Sequence, residues 1–185
     1  MATTSKGSSK GSTRTASSRT TGKAISGTPE KFTGFRPAAL TFLRSLARNN
    51  KREWFEANKS RYESEVKRPL QVLVEEIDAR LGEIAPEMVG NPKRSIFRIY
   101  RDVRFSKDKS PYKTNAAAWF YHRDAGHAVG TAAVHGGAGF YFQIAPGECM
   151  VAGGIWMPPG AALKTLREAI AGDPDELRSI LRQAA

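Results

Sequence analysis

Apolar residues recur at helical spacing at Leu40, Leu43, Leu46 and Ala47, behind a helix start at Arg36-Pro37 and ahead of a stop at Asn49-Asn50. The spacing predicts a helix of about 12 residues. From Lys51 to Glu65, charges of both signs surround Trp54, Phe55 and Tyr62; Leu70, Leu73, Val74, Ile77 and Leu81 then carry the period onward, with Pro69 as a break. That stretch reads as a helical hairpin or a kinked long helix ending near Gly82 to Pro86. At Ile96 the period changes to two: Phe97, Ile99, Val103 and Phe105 face one way, Arg98, Tyr100, Asp102 and Arg104 the other, which predicts a strand. Arg101 falls on the apolar face, where an unpaired guanidinium is expensive, so it should have a carboxylate partner or lie at the rim of a pocket.

Residues 116 to 121 and 128 to 134 flank the turn-like stretch Arg123 to Gly126 and predict a strand pair. Residues 139 to 144 and 149 to 156 flank Ala145-Pro146-Gly147-Glu148 and predict a second hairpin. After Pro158-Pro159-Gly160, Ala162, Leu163, Leu166 and Ile170 predict a helix stopped by Gly172; Asp173 can cap a last one through Leu177, Ile180 and Leu181. Helices, then strands, then helices define an α+β fold: N-terminal helices, a central antiparallel sheet and C-terminal helices.

Composition changes this picture mainly at the amino end. Residues 1 to 31 hold seven Ser, seven Thr and four Gly, with Ile25 the one large aliphatic side chain after Met1, too little apolar surface to offset the entropy of folding. They read as a disordered basic tail in front of one α+β domain over residues 32 to 185. Acidic residues are scarce in the tail, as in a transit peptide, but no apolar face develops along it. The 185-residue chain is 40% hydrophobic and 25% charged, which suits a single core. No run of about 18 apolar residues spans a bilayer, no secretory signal opens the chain, and the lone Cys149 can form no internal disulfide. The expectation is a cytoplasmic protein with no membrane partner.

Charge localises the chemistry. The formal net charge is +11, yet residues 93 to 113 alone carry eight Lys or Arg against Asp102 and Asp108, the tail supplies the rest, and the remainder of the domain is balanced. Clustered cations repel one another unless carboxylates or a bound anion offset them. The expected function is therefore binding of an anionic ligand, nucleic acid or a phosphorylated small molecule, through the strand and loop 98 to 113. Arg98, Arg101, Arg104, Lys107, Lys109 and Lys113 would hold the anion, with Ser106 as a small donor and Tyr112 as a stacking surface. Two alternatives stand beside it: an enzyme acting on a small anionic substrate with Asp102 or Asp108 as base or metal ligand, and a module that docks on an acidic protein. The cofactor is left unknown by the sequence.

Other patterns carry less. Ser106-Lys107-Asp108-Lys109 has the Ser-x-x-Lys spacing, but Pro111 follows too soon for the helix that chemistry needs. Gly7-Ser8-Ser9-Lys10-Gly11 has no strand before it and no helix after it. His135 to Gly139 lacks a Walker lysine and reads as a hairpin connection, and His122, Asp124 and His127 read as turn residues without a fourth ligand. Trp54, Phe55, Trp119, Phe120, Tyr141, Phe142 and Trp156 sit on periodic elements and are core residues first, some of them candidates for a platform beside the cations.

Three stretches, NNKREWFEANKSRYE at residues 49 to 63, RIYRDVRFSKDKSPYKTN at 98 to 115 and AGGIWMPP at 152 to 159, closely resemble the uncharacterised proteins of domain-of-unknown-function family 2461. The resemblance covers most of residues 32 to 181 and implies no established activity. It also implies a further segment after the last helix in most members, so the chain is expected to be shortened at its C-terminus.

Overall fold

The computed structural model describes residues 30 to 104, 106 to 125 and 137 to 183. The tail over residues 1 to 29, Phe105, the expected strand at 128 to 134, His127 and His135 lie outside the described residues.

Helix α1 (Pro37–Arg48) opens on proline, whose fixed φ and missing N–H suit a first turn, and buries Ala39, Phe42, Leu43 and Leu46 on one side. Asn49 closes it: both its backbone N–H and its side-chain amide donate to the Ser45 carbonyl, at 3.1 and 3.0 Å. Helix α2 (Arg52–Ala57) ends the same way at Asn58, whose side-chain amide donates to the Trp54 carbonyl at 2.9 Å. Helix α3 (Lys59–Tyr62) then runs through a π turn at Glu63–Lys67 into α4 (Arg68–Ile84). The kinked long helix is therefore what forms, and its irregularity precedes Pro69. A proline in a continuing helix removes one ladder bond and crowds the carbonyl four residues back, and the wider π turn relieves that crowding.

The sheet is antiparallel in the order β1-β2-β3-β4, with β1 Met88–Val89, β2 Ala116–His122, β3 Ala138–Ala145 and β4 Glu148–Ile155. The β3–β4 hairpin turns at Pro146-Gly147, where Gly147 takes the positive φ of +87° that a type II turn requires at that place. Strand β2 pairs with β3, Trp119 opposite Tyr141 and Ala118 opposite Phe142.

The strand expected from Ile96 is corrected over the described residues 96 to 104 to an irregular segment with two isolated bridges, Ile96 to Ala118 and Tyr100 to Tyr112. Strict alternation fails because Ile96 and Ile99, three apart, both turn into the core, leaving Phe97 on the opposite face.

The helices cover one face of the sheet. Phe42, Leu46, Phe55, Val66, Leu70 and Val74 pack there against Ala118, Phe120 and Tyr112. Small alanines at 116 and 118 let the helices come close, and Phe35 stacks on Phe142 with centroids 6.0 Å apart. Helices α5 (Gly160–Gly172) and α6 (Pro174–Gln183) follow the sheet, and the Asp173 carboxylate accepts from the Asp175 and Glu176 N–H groups at 3.2 Å, the expected cap. Neither of these two helices buries a residue, and Val151 of β4 is 74% exposed.

Candidate functional site

The other face of the sheet carries a cavity of about 730 Å³, large enough for a small molecule. Alternation along the strands supplies its floor. On β2, Ala116, Ala118 and Phe120 point to the helices, so Ala117 and Trp119 point away; on β3, Tyr141 follows the same rule. Met150 and Ala152 of β4 extend the floor, and Trp156 stands at the rim, 65% exposed. Just beyond it Met157 adopts φ +49° directly before Pro158, a left-handed conformation uncommon for a residue with a Cβ.

One wall comes from the cationic segment. Arg101 N–H donates to the Pro111 carbonyl at 2.9 Å and Lys113 N–H to the Ile99 carbonyl at 2.8 Å. These two bonds close the neck of the loop 101 to 111, and both Arg101 and Lys113 line the cavity. The Lys113 ammonium lies 5.2 Å from the centre of the Phe97 ring, whose edge in turn meets Tyr141 at 5.9 Å. Burial first, then Arg98 and Arg101 nearby, pull the Lys113 pKa down from the ordinary lysine value. The Asn115 amide and the Tyr141 hydroxyl both donate to the Gln143 side-chain oxygen, at 2.7 and 2.8 Å, which fixes their orientation. Among the described residues the lining contains no carboxylate.

The remaining cations of the segment lie elsewhere. Arg104 grips Asp102 through two bonds, Nη2 to Oδ2 at 2.7 Å and Nε to Oδ1 at 3.0 Å, and Lys109 donates to the Val103 carbonyl at 2.9 Å. Arg98 and Lys107 are exposed, and Ser106 is half-buried. Arg101 has the carboxylate partner that its place on an apolar face demands: Asp108, which also accepts the Ser110 N–H and hydroxyl. Tyr112 is buried in the core, stacked on Phe55 at 4.2 Å, and offers no surface to a ligand.

Asp102 and Asp108 are both solvent-exposed and ion-paired. The Arg104 hydrogen bonds hold Asp102 at about 2, and Ser110, then Arg101, hold Asp108 below the usual carboxylate range. A general base works best with a pKa near the working pH, and these shifts run the other way. His122 Nδ1 stands 3.9 Å from Asp124, and among the described residues no cluster of three or more His, Cys, Asp or Glu side chains is placed to hold a metal ion. No helix among them is long and apolar enough to cross a membrane.

Of the eight expected ligand-binding residues, the cavity thus gathers Arg101 and Lys113, with Arg98 close behind. Pattern reasoning missed Phe97, Asn115 and Gln143. It gave Trp119, Tyr141 and Trp156 to the core first, although the period of two on β2 and β3 already places 119 and 141 on the face opposite Phe120 and Phe142.

Fold and site define an α+β domain with one face of its sheet sealed by helices and the other hollowed into an aromatic groove with two cations on its wall. The chain belongs to the DUF2461 family of conserved hypothetical proteins, whose family model matches residues 38–185. No curated protein and no solved structure matches it.

Proposed function

We propose that the groove binds a small anionic molecule with a flat or apolar body. Arg101 and Lys113 hold the acidic group, and Phe97, Trp119, Tyr141 and Trp156 receive the body. The observation that carries this reading is the convergence of two cations on a concave, largely aromatic wall that bears no carboxylate. A nucleic-acid surface would array its cations along an open face, whereas Arg104 and Lys109 are tied down within their own loop.

Trp119 and Trp156 report the groove directly. Titration with phenyl phosphate and with adenosine monophosphate is expected to change tryptophan fluorescence saturably. Arg101→Ala should weaken binding about 10- to 100-fold, the worth of a charge-assisted hydrogen bond. Its unfolding midpoint should barely move, because an exposed Arg101–Asp108 pair contributes only about 0–1 kcal/mol. Labelled single-stranded and duplex oligonucleotides form the contrasting arm. Tight, salt-dependent oligonucleotide binding that is lost in Lys107→Glu/Lys109→Glu, with no response to the small anions, would replace the groove with an open nucleic-acid surface.

A further inference from the structure

We propose that Lys113 is a nucleophilic amine that condenses with the carbonyl carbon of a small 2-oxo acid whose carboxylate is held by Arg101. This inference rests on the anion-binding reading of the groove and gives it a substrate class: Arg101 keeps the carboxylate, and Lys113, in its neutral form, attacks the carbonyl instead of sharing the anion.

The geometry supplies what such an amine needs. Lysine becomes a nucleophile near neutral pH when it is desolvated in an apolar pocket or set beside another cation. Lys113 meets both conditions: it is half-buried on the largely apolar cavity wall, and Arg98 and Arg101 are its charged neighbours. No carboxylate on the lining stabilises its protonated form. Arg101, by contrast, is always charged and offers a planar fork that matches a carboxylate.

The class of ligand follows from the pairing of these two groups. Both side chains line the cavity, and the Arg101 guanidinium is near enough to disfavour the charge on Lys113. In a 2-oxo acid the carbonyl carbon is bonded directly to the carboxylate carbon, so a carboxylate on Arg101 brings that carbon to the amine beside it. The aromatic walls from Trp119 and Tyr141 then receive the rest of the acid.

In the step itself the Nζ lone pair forms the N–C bond and the carbonyl π pair moves to oxygen. The two amine protons pass to that oxygen, the C–O bond breaks, water leaves and a C=N bond remains.

Phenylpyruvate, an aromatic 2-oxo acid, is the probe, and phenyllactate, which lacks the carbonyl, is its control. The full chain is incubated with phenylpyruvate and sodium cyanoborohydride, and the adduct is located by intact mass and peptide mapping. One reduced adduct, at Lys113, is expected; it should vanish in Lys113→Arg, slow at least about tenfold in Arg101→Ala, and persist in Lys107→Ala. Because the site of the adduct is read on the unaltered protein, the result does not depend on how any variant folds. Saturable fluorescence changes with both acids but no adduct, or an adduct scattered over surface lysines, overturns the imine while leaving the anion groove intact. No response to either acid overturns both.

Discussion

Tyr112→Ala is expected to destabilise the domain by about 3–5 kcal/mol, the usual cost of deleting a buried aromatic ring. Tyr112 is fully buried, stacked on Phe55 at 4.2 Å, and tilted against Tyr100 at 5.4 Å. Its backbone is equally committed: the Tyr112 N–H donates to the Asn50 side-chain oxygen at 3.0 Å, and the Asn50 amide donates to the Tyr112 carbonyl at 2.9 Å. One asparagine thus plays the part of a neighbouring strand and ties the link after α1 to the end of the cationic loop. Against a total stability of about 5–15 kcal/mol, the loss leaves little margin. Equilibrium urea unfolding followed by circular dichroism measures it. Tyr112→Phe keeps the ring and should cost less than about 1 kcal/mol, and Asn50→Ala should cost about 1–3 kcal/mol by stranding two buried backbone groups. A Tyr112→Ala protein as stable as its parent would show that the loop is not anchored through the core.

That anchoring explains why the resemblance motifs run so long. Asn50, Trp54, Phe55 and Tyr62 belong to one, Tyr100 and Tyr112 to another; the aromatic rings form one cluster, Trp54 joining it through Phe42, and Asn50 bonds to Tyr112. The third motif, around Trp156, lines the groove. Two of the three therefore build the joint that holds the loop neck, and Arg101 and Lys113 stand at that neck.

The helices were legible because each writes its own period and its own stop: Pro37 opens α1, and Asn49 ends it with a side-chain bond to its last turn. The β3–β4 hairpin was legible through Pro146-Gly147, since few sequences satisfy that turn. The segment from Ile96 was not, because its backbone bends where Ile96 and Ile99 both turn inward, and a pattern cannot show a bend that only the core imposes. Arg101 was legible as a conflict, a guanidinium at an apolar position, and the structure resolves it with Asp108 on one side and the groove on the other. Charge counting found the segment but could not divide it. Arg104 and Lys109 satisfy partners two and six residues away within the loop, and such short-range pairing has no periodic signature. Tyr112 was misjudged for the opposite reason: it sits among charges in the chain but stacks on Phe55, more than 50 residues distant in sequence.

The groove also depends on a residue with no side chain. The Trp119 indole lies against Gly139, which pairs with Tyr121 two residues before Trp119's own partner Tyr141, and a Cβ at Gly139 would come within 3.0 Å of both the Trp119 indole and the Phe120 backbone carbonyl. The carbonyl belongs to the backbone of β2, so relieving its contact requires the two strands to shift, and the indole must give way as well. Gly139→Ala is therefore expected to cost about 1–3 kcal/mol, the range for overpacking a close-packed site. It should also lift Trp119 from the groove floor, shift the tryptophan emission, and weaken the response to phenyl phosphate. Gly153→Ala is the matched control on the adjacent strand: there a Cβ meets only the edge of the Phe140 ring at 3.3 Å, a contact that a half-exposed side chain can relax. If both variants unfold at the same midpoint and bind alike, the indole does not need the space at Gly139. If Gly139→Ala alone loses ligand while it remains folded, the absence of a side chain at that position is what gives the groove its aromatic floor.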